Sequence, residues 1–189
     1  MRVIAGSAGG VRLAVPKSGV RPTMDRVKAA IFSSLGGAII DARVLDLFAG
    51  SGALGIEALS RGAASVLFVE EDRQSTVAIE KNLAKTKLVG RVRRQEVFEF
   101  LRRSSGLEKF QIIFADPPYE KTKSGERFTE KLLTNKELAQ LLELDGVFVL
   151  EKRPAKQTPA TKIWDIVRAR KYGATEVLFL RRPPSASMT

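Results

Sequence analysis

Apolar residues along this chain follow two alternating rhythms, short continuous runs and a three-to-four spacing. The runs at 44–48, 66–69, 91–95, 111–115 and 146–150 predict strands. Those at 66–69, 111–115 and 146–150 are almost purely apolar, as in strands buried on both faces of a parallel sheet. The helical spacing predicts a helix capped by Thr23 and running to about Leu35, with Met24, Val27, Ile31 and Leu35 on one face. Gly36 and Gly37 stop it. Further helices are predicted after the first strand (Leu54, Ala58 and Leu59 inward), at 73–85, at 97–103, and in one stretch through Leu132, Leu133, Leu138 and Leu141. Strand and helix in alternation predict a doubly wound α/β fold.

The two ends differ in character. Residues 1–22 read as a basic, hairpin-like lead, with strand candidates at 2–5 and 11–15 separated by Gly6, Gly9 and Gly10. Arg12, Lys17 and Arg21 make it basic; a grip on a phosphate backbone and a plain solvated turn are equally open readings of it. Near the other end, 163–169 and 175–180 flank Lys171, Tyr172 and Gly173 and predict an antiparallel hairpin closing one sheet edge. From Arg181 onward, arginines, prolines and serines predict disorder. The expected division is a lead (1–22), one domain (23–182) and a tail (183–189).

Composition narrows the chemistry. The 189 residues suit one domain, and 44% hydrophobic residues suffice for a normal core. With no cysteine and no histidine, a disulfide framework, a thiolate metal site, a Ser-His-Asp triad and a histidine-bound zinc are all excluded. No spacing asks for a metal of any kind. Thirty-two basic against 21 acidic residues leave a net charge of +11, which suits a polyanionic partner, most often nucleic acid. No apolar run approaches the ~20 residues needed to cross a bilayer. The first ten residues are too weakly apolar for a signal peptide, so a cytoplasmic protein is expected.

The stretch VLDLFAGSGALG, from Val44 to Gly55, carries the strongest local signal. Gly50, Gly52 and Gly55 form a G-x-G-x-x-G spacing directly after a strand and opening a helix. Such glycines permit a tight turn, close backbone approach to a ligand, and packing of the helix on the sheet. Free N–H groups at the helix start favour an electron-rich ligand. A tight turn alone is the bland reading, but the acids argue past it. Asp46, Glu70 and Asp116 each lie at or near the carboxyl end of a predicted strand, the edge where open α/β sheets bind ligands. Glu70 can accept from both ribose hydroxyls of an adenosine-containing cofactor, and Glu96 from an adenine amine. Asp46 can orient the glycine loop or meet a cationic amino group. In Asp116-Pro117-Pro118-Tyr119, two prolines remove two N–H donors and fix the backbone. A carboxylate beside a bare carbonyl forms a paired acceptor for an exocyclic amine, and Tyr119 offers a face for a base.

FAGSGALG, the acid in FVEED, and DPPY resemble the motifs of class I S-adenosylmethionine-dependent amino-methyltransferases. RPTMDRVKAAIF, VLDLFAGSGALGIEALSRGA, NLAKTKL and ADPPYE resemble more closely the bacterial small-subunit ribosomal RNA guanine-N2 methyltransferases of the RsmD type, over nearly the whole chain. The resemblance implies a Rossmann-like class I methyltransferase fold: a mostly parallel seven-stranded sheet, an antiparallel C-terminal hairpin, and helices on both faces. It implies that Phe48, Ala49, Gly50 and Gly52 hold the methionine part of S-adenosylmethionine, with Asp46 beside them and Thr23 at that end. Glu70 then holds the ribose, Glu96 and Val97 the adenine, and Asp116 to Tyr119 the target guanine. Arg12, Arg21 and Lys121 are the implied phosphate contacts. The family usually carries Arg-Gly-Arg in the lead, where this chain has Gly10-Val11-Arg12, and usually Asp where this chain has Glu96.

The implied reaction is a direct in-line methyl transfer to guanine N2 of small-subunit (16S) ribosomal RNA, within a ribosomal subunit or its assembly intermediate, with no metal and no membrane. Three rivals stay in view. A DNA adenine-N6 methyltransferase shares DPPY, but a chain this short has little room for a DNA-reading domain. A nicotinamide dehydrogenase shares the glycine spacing but leaves DPPY unexplained. A non-catalytic RNA-binding assembly protein would have no use for an intact cofactor loop.

Overall fold

The computed structural model describes residues 1–15, 25–104, 106, 108–118, 126–155 and 161–183. The apolar runs become strands β1 (Arg43–Leu47), β2 (Ser65–Glu70), β3 (Arg91–Arg94), β4 (Phe110–Ala115) and β5 (Leu142–Lys152). The C-terminal pair is β6 (Asp165–Tyr172) and β7 (Thr175–Arg181). They form one seven-stranded sheet in the order β3-β2-β1-β4-β5-β7-β6. Pairings from β3 across to β5 are parallel, and β7 joins β5 and β6 antiparallel, as the sequence predicts. The strand order reverses between β1 and β4, the point at which such sheets bind ligands.

Helices α1 (Asp25–Leu35), α2 (Ala53–Ser60) and α3 (Arg73–Thr86) cover one face; α4 (Val97–Arg102), α5 (Glu126–Thr134) and α6 (Lys136–Leu141) cover the other. Neighbouring residues of β1 enter opposite cores: Val44 packs with Val27, Ile56 and Phe68, Leu45 with Phe100, Leu132 and Phe148. That is the period-two geometry of a strand covered on both sides.

All eight residues of α2 are buried, because the lead lies across its outer side. Glu57 accepts hydrogen bonds from the N–H groups of Ile4 (2.7 Å) and Ala5 (3.1 Å). It also pairs with Lys28 at 3.1 Å and Arg61 at 2.7 Å. Burial pulls the Lys28 pKa down, and the adjacent Glu57 carboxylate opposes that shift. Ser60 Oγ accepts from Ala8 N–H at 3.0 Å and donates to the Ala5 carbonyl at 2.6 Å. The two short strands predicted in the lead are therefore reduced to one antiparallel bridge, Arg2 opposite Arg12. Donors that a longer hairpin would pair internally go to α2 instead.

Other departures have local causes. The single helical stretch predicted through Leu132 and Leu141 is two helices, broken at Asn135, whose side chain caps α6 by accepting from Leu138 N–H at 2.6 Å. β5 starts at Leu142 rather than near Gly146. Lys171 and Tyr172 belong to β6 rather than to the turn. Arg181 ends β7, and Arg182 Nη1 donates to the Leu142 carbonyl at 3.3 Å, so order extends past the predicted start of disorder. Residues 184–189 of the expected tail lie outside the described residues. So does the join between lead and domain at 22–23.

Candidate active site

The parallel register assembles the site. Leu47 of β1 stands level with Val69 of β2 and Ala115 of β4, and Ala115 with Leu150 of β5. The residues that follow these, Glu70, Phe48, Asp116 and Glu151, come next at the carboxyl edge. Asp116 and its buried neighbour Pro117 follow the end of β4 at Ala115, and Pro118 is exposed.

The glycine loop closes on two of the acids. Glu70 is mostly buried; its carboxylate accepts from Gly50 N–H at 2.8 Å and Asp72 N–H at 2.9 Å. Asp46 is buried within β1 and accepts from Gly55 N–H at 2.9 Å. It thus takes the loop-orienting role that the sequence allowed it. These bonds occupy the Gly50 and Gly55 N–H groups within the protein. Gly52 caps α2 with φ 77°, a left-handed conformation that suits glycine. At Gly55 a Cβ would lie 2.3 Å from Phe68 Cε1 and 2.8 Å from Val66 Cγ1, so the helix packs directly on β2. Phe48 itself holds φ 55°, which costs a non-glycine residue about 1–2 kcal/mol.

Phe48 is restrained by rings that sequence reasoning did not connect. Its centroid lies 5.6 Å from Phe128 of α5 and 6.2 Å from Phe98 of α4, and Phe98 and Phe128 stack at 6.0 Å. Lys131 Nζ sits 5.2 Å from the Phe98 centroid. Glu96 caps α4, accepting from Phe98 N–H (2.9 Å) and Glu99 N–H (2.7 Å), and the Val97 side chain is buried in the adjoining core. Burial drives the Asp46 pKa well above the ordinary carboxylate range; Gly55 N–H counters this, and the Asp116 and Glu70 charges add to it. Partial burial, then Glu70, Glu96 and Asp72, raise Glu71. Carboxylates crowded this way favour a ligand that brings positive charge.

Asn82, the first residue of the NLAKTKL stretch, has a role that sequence reasoning did not assign. Fully buried on α3, it accepts from Ala14 N–H at 2.7 Å and donates to the carbonyls of Ala14 and Ser51 at 2.9 Å each. One side chain thereby joins the lead to the glycine loop. It lies beside Ile79 and Leu83 on the buried face of α3, which also holds Ser75, Thr76 and Thr86. The structure thus brings together Asp46, Phe48, Ala49, Gly50, Gly52, Glu70, Glu96, Val97, Asp116, Pro117 and Pro118. Arg12 stands apart on the exposed side of the lead. Thr23, Arg21, Tyr119 and Lys121 lie outside the described residues. Among the described residues, no group of His, Cys, Asp or Glu is arranged to hold a metal, and no helix is long and apolar enough to cross a membrane.

This arrangement has known relatives. The protein YlbH of Bacillus subtilis (strain 168) is 40% identical over 188 residues, covering 96% of this chain and 99% of that one. Ribosomal RNA small subunit methyltransferase D of Escherichia coli (strain K12) is 44% identical over 123 residues, 64% of this chain and 61% of that one. The solved structure of the Escherichia coli protein yhhF superposes with a TM-score of 0.80 at 34% identity, covering 96% of this chain and 97% of that one. The fold is that of the class I S-adenosylmethionine-dependent methyltransferases. The model of the family described as conserved hypothetical protein 95 matches residues 1–181, and with these relatives it makes this chain a member of that family, the RsmD family.

Proposed function

We propose that this protein transfers a methyl group from S-adenosylmethionine to the exocyclic N2 amine of a guanine in small-subunit ribosomal RNA. The observation that supports the reading is the register of Leu47 with Val69 and Ala115, which brings the residues that follow them, Phe48, Glu70 and Asp116, to one sheet edge. The residues present fit the cofactor: a glycine cradle ringed by carboxylates suits a ligand bearing a sulfonium and an ammonium. When bound, that cofactor supplies a methyl group already activated on positively charged sulfur.

The chain's own residues then align and polarise. Phe48, Ala49, Gly50 and Gly52 hold the methionine end, with Asp46 behind them and Thr23 closing it. Glu70 takes the ribose hydroxyls with the acceptor capacity left beyond its two N–H bonds. Glu96 keeps α4 in place, so Val97 offers the adenine its backbone. Asp116 and the Pro117 carbonyl accept from the guanine amine, localise its lone pair and stabilise the charge growing on nitrogen. The amine proton leaves toward Asp116 as the methyl arrives. Tyr119 stacks on the base, which must be unpaired or flipped out. Arg12, Arg21 and Lys121 hold phosphates. On this reading residues 1–22 are an RNA-facing extension of a methyltransferase domain at 23–182. The substrate is a small ribosomal subunit or its assembly intermediate in the cytoplasm.

The test is to incubate the protein with radiolabelled S-adenosylmethionine and small subunits from cells lacking the endogenous enzyme. Label is expected in N2-methylguanine, reduced about 10²–10³-fold by Asp116→Ala while cofactor affinity changes little. Cofactor binding without labelled RNA overturns the substrate; absence of cofactor binding overturns the whole reading.

A further inference from the structure

We infer that Glu151 selects the base: its carboxylate accepts the ring N1–H of the target guanine, while Asp116 and the Pro117 carbonyl hold the exocyclic amine. The inference rests on the guanine reading above. In the sequence Glu151 merely follows an apolar run. In the fold it stands one strand over from the Asp-Pro-Pro turn. Ala115 of β4 is level with Leu150 of β5, and Asp116 and Glu151 are the next residues along the chain. β5 continues through Glu151, which pairs with Val177 of β7, so its side of the sheet is fixed. Val149 and Val177 belong to the core under α1, α2 and α3, and Leu150 to the opposite core. Alternation therefore turns Glu151 toward the α2 face. That is the face on which Asp46 accepts from Gly55 N–H and feels the Asp116 charge.

Glu151 is only 5% exposed, and a carboxylate buried at a ligand-binding edge needs donors to offset its lost hydration. Asp116 and Glu151 each interact within the protein as well. An ionised carboxylate has about four acceptor sites, so it can still take a further N–H. Among the bases that bear an amine, guanine alone carries a ring donor beside it: N2 is flanked by N1–H and the N3 lone pair. The amines of adenine and cytosine are flanked by a bare ring nitrogen and a carbon. Asp116 and Pro117 address an NH2 group common to all three bases, so by themselves they do not choose. An added carboxylate satisfies guanine and sets a negative charge against a lone pair in the other two.

A buried acid at a strand end also serves merely to neutralise a neighbouring cation. Lys152, the next residue, has its own counter-ion. Its Nζ pairs with Glu176 at 2.7 Å and donates to the Arg153 carbonyl at 3.0 Å. Glu176 stands opposite Lys152 in the β5–β7 register, on the face that holds Leu150 and Leu178. That ion pair lies on the far side of the sheet, so the neighbouring lysine does not account for Glu151.

The test compares guanine with 2-aminopurine, which keeps the C2 amine but presents N1 as a bare lone pair and lacks O6. Label transferred by wild-type protein first locates the methylated guanine. Small subunits are then reconstituted with ribosomal RNA carrying 2-aminopurine at that position, and kcat/KM is measured on both substrates. Wild type is expected to prefer guanine at least about 10²-fold. Glu151→Gln should lose about tenfold on guanine and gain about tenfold on 2-aminopurine, because its amide donates to a bare N1. Glu151→Asp keeps an acceptor and should keep most of the preference. Loss of O6 is common to all three proteins, so a change in the ratio reports on N1 alone. Equal losses on both substrates in Glu151→Gln are what a structural role gives; they overturn the inference and leave the methyltransferase reading intact. Wild-type protein that methylates both substrates equally overturns it even if the variants fail to fold. Wild-type protein that labels no guanine overturns the reading beneath it.

Discussion

Asp46 carries its charge at greater cost than its neighbours. An unfolded aspartate ionises near 3.8, whereas burial moves native Asp46 well above that, with Asp116 and Glu70 adding to the shift. Between the two values the native state holds a proton that the unfolded chain has released. Stability therefore falls as pH rises through that window, and the loss persists above it. Asp46→Asn keeps an acceptor for Gly55 N–H and removes the charge. The variant's denaturant midpoint is expected to vary less across the window and to exceed the wild type above it. A variant whose midpoint varies across the window as much as the wild type's would contradict this. On the proposed reading this carboxylate faces the cofactor's ammonium. Calorimetric titration should then show Asp46→Asn weakening cofactor binding on the order of 10–100-fold.

At the scale of elements, α2 couples the core to the site. A Cβ on residue 55 would meet Phe68 and Val66 at 2.3 and 2.8 Å, rigid parts of the core rather than flexible ends. Gly55→Ala should lift α2 from β2, cost about 1–3 kcal/mol in chemical denaturation, and weaken cofactor binding through the displaced Asp46 contact. Asn82→Ala should act from the other side of the loop, leaving the Ala14 and Ser51 groups unpaired, and raise the KM for cofactor more than it lowers kcat. These two positions also mark what was legible. Gly55 could be read because a glycine three residues into a helix after a buried strand has few other purposes. The strands could be read because burial on both faces writes them as apolar runs, and parallel register then carries Glu70 and Asp116 to one edge. The lead could not, because its partners Glu57 and Asn82 stand 53 and 68 residues away. Glu96 was seen as an acid at the site, but an acid before a helix looks the same whether it caps or binds. The Phe48, Phe98 and Phe128 cluster depends on where α5 docks, which no local pattern states.

The whole molecule separates its charges. It carries a net +11, yet the carboxylates of Asp46, Glu70, Glu71, Asp72 and Glu96 gather at one sheet edge, and each of Arg2, Arg12, Arg91, Arg93, Arg168 and Arg170 is exposed. On the proposed reading a cationic cofactor and a polyanionic RNA would meet surfaces of opposite sign on one small domain. Salt should distinguish them. RNA binding that neutralises several phosphates should weaken steeply, about 10³-fold between roughly 50 and 200 mM for six contacts. Cofactor binding involves about one net charge against partly buried acids, which salt screens poorly, so it should change only about two- to threefold over that range. Dissociation constants for both ligands measured across one potassium chloride series would decide it. Parallel slopes would mean that the acidic edge and the basic exterior do not act as separate fields. Divergent slopes would mean that a protein basic enough to hold RNA without strict sequence contacts still keeps a local site for a cation, built by parallel register rather than by overall composition.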